Sequence, residues 1–523
     1  MSSNMTSIVV PLIGEPRISE LVWSGFLRQI DTGYQIFIYA GRAPEQDILK
    51  VAWASCPCPN HGRDARATTV HWVQGQWKHF AGLFNQAIQE VPTQFVLFAP
   101  PQIILNADCV TAFQDALRSN PARNFAYCDY RYSDGQEVRL IDDPGDITER
   151  QDWGQVFAVR KEAILQKGGV DEEHPAAVFY DLRLKLGDDS PLLHIPKVLY
   201  QIPALEAALG HGGACTSIKK DIGKDVLFYP GQGQYGGFSY LFYSPEQERQ
   251  FEQVFYQMLK RRGAYLDRIP PITPFDLGPL SSPAVSVIMP VYNRSDFVGS
   301  AIESVLQGTF RDFEILLIDN GSTDNTCEVV KKYTKDRRVY LLHCPENIIA
   351  KSLNTGVRAA RGRYIAQLDS DDEYTPDTLT MMVEYLEKHP TAGLAISYYE
   401  LMDVTGKTLK DFGVIKHDEY NRNNILRVDG AGAVRVWRKS VLKELGGFDE
   451  KVLGGYGEDY DLVLKVSERY EVGRVPKVLY RYRRHSGNTD ALVENQRKIR
   501  AKSIARQNAL HRRRELNLQL GKE

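Results

Sequence analysis

The chain has 523 residues, of which 43% are hydrophobic and 25% charged, the balance of an ordinary soluble globular protein. One hydrophobic core rarely serves more than about 300 residues, so we expect two or three domains. The formal net charge of -2 argues against a nucleic-acid binder. The sequence has neither a long apolar run nor a charged N-terminal region before an apolar stretch, so we expect no membrane span and no signal peptide.

The cysteines have no disulfide-like spacing. Cys56 and Cys58 stand near His61, but they lack the usual two-residue spacer and the second ligand pair of a zinc site. We therefore expect reduced thiols in a cytoplasmic protein rather than a zinc site.

An internal repeat organises the predicted elements along the chain. The strand-like segment Ser7–Pro11 recurs as Ser286–Pro290, and Tyr34–Ile38 recurs as Phe313–Leu317. Three later pairs follow in the same order and at nearly the same offset: Lys167–Asp171 with Leu445–Asp449, Tyr180–Leu182 with Tyr460–Leu462, and Pro196–Tyr200 with Pro476–Tyr480. The repeat predicts two copies of one domain.

Each copy opens with a β-branched strand, an amphipathic helix and a second apolar strand. In the second copy these are Val285–Met289, Phe297–Leu306 and Glu314–Ile318. Strands that alternate with helices predict an α/β fold with a mostly parallel, doubly wound sheet. Such sheets bind ligands beyond the carboxyl ends of their strands.

Four regions follow from the repeat. Residues 1–205 form the first copy, 206–282 a connecting segment with a helix and a Pro-rich linker, 283–490 the second copy, and 491–523 a basic helical tail.

The second copy has an acidic residue at the end of its second strand. Asp319 follows an apolar strand, and Gly321 allows the turn that comes after it. Its carboxylate is suited to accept the N–H of a nucleobase, whereas the alternative is a carboxylate that only caps the turn.

A second acidic group, Asp369, Asp371 and Asp372, follows another apolar strand. Like charges this close together repel, so the group favours a cation. Carboxylate oxygens suit Mg²⁺ or Mn²⁺, ions that also hold substrate phosphates. A solvated acidic turn is the alternative.

Glu458 and Asp459 follow a glycine-rich stretch and open a helix. They are suited to act as a general base, although a helix N-terminus alone also favours acidic residues.

His485 lies in a basic loop with Arg483 and Arg484. The histidine is suited to complete a metal shell and the arginines to meet phosphate, and a structural histidine is the alternative.

Taken together, these motifs closely resemble family 2 glycosyltransferases of the GT-A fold. The motifs that carry the resemblance are Pro290–Asn293, Ile318–Asp324, Leu368–Asp372, Gly457–Leu462 and His485–Asn488. The resemblance implies two tandem GT-A-like domains (nucleotide-diphospho-sugar transferase, Rossmann-like), the first of them degenerate. It also implies inversion at the anomeric carbon by a single displacement.

The resemblance assigns roles to individual residues. Asp459 would be the catalytic base with Glu458 beside it, and Asp371 and His485 would bind Mn²⁺ or Mg²⁺. The nucleotide-sugar site would contain Pro290, Tyr292, Asn293, Asp319, Asn347, Lys351, Asp369 and Ser370. Two departures from the family pattern concern this site, since Asn320 stands where many members have aspartate and Leu353 where many have arginine.

The first copy lacks the matching acidic residues. Ala40 aligns with Asp319, Pro100–Gln102 with Asp369–Asp371, and Val178–Phe179 with Glu458–Asp459. We therefore expect a catalytically inactive domain that serves as an interface, an acceptor-binding domain or a scaffold. Its tryptophans Trp72, Trp77 and Trp153 either stack on sugar rings or pack in the core.

The tail carries nine Lys and Arg residues against three Glu. It predicts either a solvated terminal helix or peripheral contact with the inner face of a membrane. The expected function is transfer of a sugar from a nucleotide-diphosphate sugar, in the first place a UDP-sugar, to a saccharide or lipid-linked acceptor in polysaccharide or glycoconjugate biosynthesis. We expect no nucleic-acid partner, and oligomerisation is left open. A non-catalytic carbohydrate-binding scaffold and a nucleotidyltransferase are the alternatives.

Overall fold

The computed structural model describes residues 6–12, 35–40, 69–74, 79–100, 103–149, 151–202, 244–276, 278–279, 282–416, 421–428 and 434–521. The cysteines and histidine considered for zinc lie outside these residues: Cys56, Cys58 and His61. Trp77 and the side chain of Trp72 also lie outside them. The described residues up to Met258 form one compact unit, unit 1, and those from Leu259 onward form a second, unit 2.

Unit 1 is built on a sheet flanked by helices. Its strands are β1 (Thr6–Leu12), β2 (Gln35–Ala40), β3 (Thr69–Gln74), β4 (Phe95–Phe98), β5 (Ile104–Leu105), β6 (Phe125–Tyr132), β7 (Glu137–Val138), β8 (Phe157–Arg160) and β9 (Leu193–Ile202). Its helices are α1 (Phe80–Glu90), α2 (Cys109–Ser119), α3 (Lys161–Gln166) and α4 (Val178–Leu186), with a 3-10 turn at Pro175–Ala177. The boundary between the units lies within α5 (Pro245–Arg261).

Unit 2 repeats this plan. Its strands are β10 (Val285–Val291), β11 (Phe313–Asp319), β12 (Val339–His343), β13 (Tyr364–Gln367), β14 (Glu373–Tyr374), β15 (Ala392–Met402), β16 (Val414–Ile415), β17 (Arg435–Arg438) and β18 (Glu471–Arg483). Its helices are α6 (Val298–Leu306), α7 (Thr326–Tyr333), α8 (Ile349–Ala359), α9 (Thr378–Lys388), α10 (Ile425–Val428), α11 (Lys439–Glu444), α12 (Glu458–Arg469), α13 (Thr489–Leu492) and α14 (Asn495–Leu520), with a 3-10 turn at Lys410–Phe412.

The two sheets have the same strand order. The order is β3-β2-β1-β4-β8-β6-β9-β5 in unit 1 and β12-β11-β10-β13-β17-β15-β18-β14 in unit 2, with β7 paired to β6 and β16 to β15. The first four strands of each order run parallel, and the fifth is antiparallel to the fourth. The described strands therefore confirm the predicted α/β fold with two tandem domains of one topology.

Individual hydrogen bonds recur between the units as well. The side chain of Asn85 donates to the carbonyl of Val170 at 3.0 Å and accepts from its N–H at 2.9 Å. Asn354 makes the same two bonds with Phe448, at 2.9 and 3.0 Å. Both asparagines thus hold the middle of a helix to a Gly-Gly turn in the same way.

The central strands of unit 2 are buried along their whole length. Every residue of β10 and β11 is buried, which explains their mostly apolar sequence, because helices cover both faces of a parallel sheet. Helix α8 approaches β10 closely at Gly356, where an added Cβ would lie 2.5 Å from Cγ2 of Ile288. Because β10 runs parallel to both β11 and β13, the loops after these three strands lie at one edge of the sheet.

Candidate active site

The candidate site of unit 2 begins where the parallel strands end. Val291 is paired with Asp319 in the last register position of β10 and β11. The loop after β10 turns at Asn293, which has a φ of 51°, a left-handed conformation that asparagine tolerates better than most residues. Tyr292 precedes this turn and is 39% exposed. Its ring therefore stands at the surface beside the strand ends.

Asn293 ties the two loops together. Its Oδ1 accepts from the N–H of Thr323 at 2.8 Å, and its own N–H donates to Oγ of Ser322 at 3.0 Å. The N–H of Arg294 donates to Oγ1 of Thr326 at 2.8 Å. The structure thus gives Asn293 a role in loop geometry, and Pro290 lies on β10 just before it.

Asp319 is buried at the base of these loops. Its Oδ1 accepts from the N–H of Ser322 at 3.1 Å, and Nδ1 of His343 lies 3.4 Å from Oδ2. Burial opposes ionisation of Asp319, but hydrogen bonds from Ser322, Cys327 and His343 outweigh it and lower its pKa. The carboxylate therefore remains charged, which makes it a stronger acceptor for an N–H.

Other predicted donor-site residues lie on or near α8. Asn347 is exposed in the turn before the helix, and Lys351 forms an ion pair with Glu346. Asn320 is buried and accepts a hydrogen bond from the hydroxyl of Ser352. Asparagine at this position is thus used to hold α8, and the ammonium of Lys351 is engaged by Glu346.

Asp372, the last of the clustered acidic residues, is held inside the fold by hydrogen bonds. Asp372 is fully buried, and it accepts from the hydroxyl of Tyr480 at 2.7 Å and from the N–H of Arg483 at 2.7 Å. These bonds fasten the loop after β13 to β18. Ser370, between Asp369 and Asp371, is also buried.

Asp371 is the centre of a small charged network. Nε2 of His485 donates to its Oδ2 at 3.0 Å, and Nε of Arg294 donates to the same oxygen at 3.1 Å. Burial opposes ionisation, but the hydrogen bond from His485 and the charge of Arg294 lower the pKa of Asp371. The other end of Arg294 donates to the carbonyl of Gly487 at 2.7 Å. Three loops therefore converge on one carboxylate.

The two predicted metal ligands are adjacent but do not form a preformed cage. Among the described residues, no three His, Cys, Asp or Glu side chains come together as metal ligands. Asp371 and His485 fit a cation that takes its remaining ligands from substrate phosphates, as Mg²⁺ commonly does. Nδ1 of His485 accepts from the N–H of Gly487 at 3.1 Å, so the ring proton lies on Nε2. A cation at Nε2 would displace that proton.

Asp369 lies among several charged groups. Burial and the neighbouring carboxylate of Asp371 raise its pKa to about 7, Asp459 adds to the rise, and Arg435 and Arg294 oppose it. Groups from β13, β17 and α12 therefore act on one another electrostatically at this edge of the sheet.

Asp459 forms an ion pair with Arg435, whose Nη2 lies 2.8 Å from its Oδ2. Its side chain is 30% exposed, so solvent reaches it beside its partner. Glu458 is buried, its Oε2 accepts no hydrogen bond within the described part of the chain, and burial together with Asp459 raises its pKa. Of the two acids, Asp459 is therefore the accessible one.

Sequence reasoning missed Arg294 and Arg435 as parts of this site. Arg294 directly follows the Pro-Val-Tyr-Asn motif, which is the one signal that pointed to it. Sequence reasoning also placed Arg483 and Arg484 at phosphate, but both side chains are buried. Arg483 donates to the carbonyl of Asp371 at 2.8 Å and to Glu373 at 2.6 Å, so it holds the acidic loop in place.

Unit 1 has different residues at the equivalent positions. Leu12 pairs with Ala40 in unit 1, at the register position where Val291 pairs with Asp319 in unit 2. Phe179 is the second residue of α4, the position that Asp459 has in α12. The ring of Phe179 lies against that of Phe80, with the ring centroids 4.9 Å apart. Trp153 packs against the core of unit 1, and its ring contacts Tyr127 edge-on at 5.0 Å. Core packing is therefore the role that the structure gives to Trp153.

The basic tail is a packed helix of unit 2 rather than a separate segment. On α14, Arg506 and Arg513 are buried, and Arg512 donates to both oxygens of Glu468 at 2.7 and 2.9 Å. Part of the tail's positive charge, that of Arg512 and Arg513, is thus paired with carboxylates inside the unit. None of the described helices is long and apolar enough to cross a membrane.

Comparisons with known proteins agree on one family. The sequence profile of Glycosyl transferase family 2 matches residues 286–446. A chondroitin synthase of Pasteurella multocida (strain Pm70) is 30% identical over 208 residues, which are 40% of this chain and 21% of that protein. An uncharacterized glycosyltransferase of Methanocaldococcus jannaschii is 30% identical over 217 residues, which are 40% of this chain and 73% of that protein.

A solved structure of S. aureus TarS, residues 1–349 in complex with UDP-GlcNAc, aligns with a TM-score of 0.34 and 21% identity. The alignment covers 40% of this chain and 61% of that one.

Proposed function

Because this chain belongs to glycosyl transferase family 2, we propose that unit 2 is an inverting transferase that moves a sugar from a nucleoside diphosphate, UDP in the first instance, to an acceptor hydroxyl. One observation carries the proposal. Asp371, 3.0 Å from His485, and the Arg435–Asp459 ion pair, with a distance of 2.8 Å, both influence the pKa of Asp369 at the same sheet edge. This arrangement supports a phosphate-binding group and a base that act on one substrate.

The reaction we propose is a single displacement. The acceptor hydroxyl oxygen forms a bond to the anomeric carbon while the bond from that carbon to the diphosphate oxygen breaks. The hydroxyl proton passes to a carboxylate oxygen of Asp459, and the nucleoside diphosphate leaves with the electron pair. The attacking and leaving oxygens lie on opposite sides of the carbon, so its configuration inverts and no enzyme nucleophile is needed.

Arg435 has a supporting role in this scheme. Its guanidinium, 2.8 Å from Oδ2 of Asp459, holds that carboxylate in one orientation, as a base that accepts a proton needs. The neighbouring Glu458 is buried and its pKa is raised. We therefore assign it to shaping the start of α12.

Asp371 and His485 are the residues that would hold Mn²⁺ or Mg²⁺. When bound, such an ion would neutralise charge on the departing diphosphate. In its absence Arg294 supplies the positive charge beside Asp371, at 3.1 Å. Arg294 is therefore also placed to meet a diphosphate oxygen.

The nucleoside end of the donor would lie over the ends of β10 and β11. Asp319 would accept the N–H of the uracil, and the exposed ring of Tyr292 would flank the base. Asp369, Ser370, Asn347 and Lys351 would line the ribose and phosphates, with Pro290 and Asn293 shaping the loop beneath them. Lys351 would exchange Glu346 for phosphate.

The acceptor would be a hydroxyl of a saccharide or of a lipid-linked saccharide, in polysaccharide or glycoconjugate synthesis. The substrates and partners of the whole protein are part of the same proposal. A cytoplasmic location, with or without contact at the inner face of a membrane, is compatible with either acceptor.

We further propose that unit 1 is catalytically inactive, because Ala40, Pro100 and Phe179 offer no carboxylate.

Product analysis tests the proposal against its alternatives. A panel of UDP-sugars with MnCl₂ should release UDP from at least one donor, whereas a nucleotidyltransferase would release pyrophosphate from UTP, and a scaffold would do neither. Asp371→Asn and Asp459→Asn should each lower turnover by about 10²- to 10⁴-fold. Unchanged turnover in both variants would place the reaction elsewhere in the chain.

A further inference from the structure

A cavity of about 280 Å³ lies between the loop that leads into α12 and the start of α14. Gly455 and Tyr456, from the loop before α12, form one wall. Glu494 and the first turns of α14, with Arg497 and Arg500, form the other. We call it the loop–helix cavity.

The cavity contains two uncommitted positive charges. Arg497 and Arg500 are exposed, and neither guanidinium has a hydrogen-bond or ion-pair partner within the part of the chain that the structure describes. Other arginines of α14 are engaged, since Arg506 donates to the carbonyl of Leu426 at 2.7 Å and Arg512 pairs with Glu468. With the carboxylate of Glu494 included, the lining keeps a net positive charge.

One arginine lies close to the loop. A Cβ added to Gly455 would lie 2.6 Å from Nη2 of Arg497, so the guanidinium stands against the loop backbone here. Two residues later Gly457, with a φ of 87°, precedes α12, and a Cβ added to it would lie 3.5 Å from Cβ of Ala501 on α14. Asp459 is the second residue of α12. The cavity and the base therefore share one glycine loop.

The lining indicates the chemistry of a ligand. Arginine presents several N–H donors that match the oxygens of a carboxylate or a phosphate. Val452 is 61% exposed and Ile504 is 37% exposed at the rim, and with Tyr456 they offer apolar surface to a sugar ring. A neutral glycan would leave the two positive charges without a counter-ion.

We propose that the loop–helix cavity binds an anionic substituent of the acceptor, a uronate carboxylate or a backbone phosphate, and so positions the acceptor hydroxyl at Asp459. The inference rests on the proposed function of unit 2. It names the acceptor as an acidic glycan and makes Arg497 and Arg500 positioning residues for it.

Calorimetric titration of the full chain tests the proposal without requiring turnover. The probes are a hexasaccharide that contains glucuronate, the same hexasaccharide after reduction of its carboxyl groups, and a glycerol phosphate hexamer. At low salt we expect at least one charged probe to bind about tenfold or more tightly than the reduced one. The two charged probes distinguish a uronate from a phosphate.

The double variant Arg497→Gln/Arg500→Gln should lose this preference while its affinity for UDP stays unchanged. Lys332→Gln/Lys335→Gln, which removes two exposed positive charges near α7, is the matched control and should keep the preference. Equal affinity for charged and reduced probes, absence of binding by both charged probes, or a preference that survives the double variant would overturn the proposal. Release of UDP from donors, measured on the same proteins, separates this failure from a failure of the proposed function.

Discussion

Nε of Arg294 lies 3.1 Å from Oδ2 of Asp371, the same oxygen that accepts from His485 at 3.0 Å. The arginine follows β10 and the aspartate follows β13, and the two are 77 residues apart in sequence. Within the described residues, this contact links the loop that flanks the donor site to the predicted metal ligand. A cation at Asp371 would therefore compete with Arg294 for one oxygen.

Replacement of Arg294 should make the protein more dependent on a divalent cation. In Arg294→Gln, Asp371 keeps only His485 as a partner, so we expect a loss of about 1 to 3 kcal/mol in the free energy of unfolding without metal. Added MnCl₂ should then raise the melting temperature more than it does in the unaltered protein. Thermal melts with and without MnCl₂ measure both effects.

The control for this experiment is Asp371→Asn, which should abolish the response to MnCl₂. Equal metal responses in Arg294→Gln and the unaltered protein would show that Arg294 and the cation do not share Asp371.

Loss of the ion pair at Asp459 should affect turnover more than donor binding. We expect Arg435→Gln to lower kcat by about 10- to 100-fold with little change in the donor KM, because Asp459 loses its orientation and its counter-charge. Initial-rate kinetics on the best donor of the panel measure both constants.

Lys477→Gln is the comparison for Arg435→Gln, since Lys477 forms an exposed pair with Asp377 at 3.2 Å and its loss should change kcat little. A rise in donor KM at constant kcat in Arg435→Gln would instead place Arg435 at the donor.

Asp319 should determine affinity for the nucleoside. Asp319→Asn retains an oxygen that accepts from the N–H of Ser322, but it replaces the second carboxylate oxygen, a charged acceptor for the base N–H, with an NH₂ group that cannot accept. We expect UDP to bind about tenfold more weakly, which corresponds to about 1.4 kcal/mol. Isothermal titration with UDP measures the change.

His343→Gln is the matched variant for Asp319→Asn, because His343 contacts the same carboxylate at 3.4 Å from the exposed side. We expect it to change UDP affinity by less than about threefold. If Asp319→Asn bound UDP as tightly as the unaltered protein, the carboxylate would have only its turn-forming role.

The repeated asparagines should contribute similarly to the two units. Asn85→Ala and Asn354→Ala each leave a backbone N–H and a carbonyl without their partner, so we expect each to cost about 1 to 3 kcal/mol in the unit that contains it. Urea unfolding followed through probes specific to each unit measures the two losses.

Each variant of this pair serves as the control for the other, because Asn85→Ala should leave the unfolding of unit 2 unchanged. If only one of the two variants lost free energy of unfolding, the two contacts would share their geometry but not their contribution to stability.

The sequence by itself determined the tandem α/β architecture and the edge of the sheet at which the acidic residues would lie. Both follow from local patterns, since β-branched runs and amphipathic helices recur at nearly constant offsets. Parallel strands carry the residues after them to a common edge, so Asp319 and Asp369 could be placed together without coordinates. The individual roles given to these residues stay predictions.

Tertiary structure decided which charged residues are free to act. Asp371 and Asp372 are buried neighbours with the same side chain, yet Asp372 bonds to Tyr480 and Arg483 of β18, whereas Asp371 bonds to Arg294 and His485. Among the arginines, Arg513 is fully buried and Arg497 lines a cavity on the same helix. The spacing of charged residues along the sequence follows no pattern that would predict which of them are buried. Their partners come from segments far away in sequence, so only the folded chain distinguishes a structural charge from one that is available to a ligand.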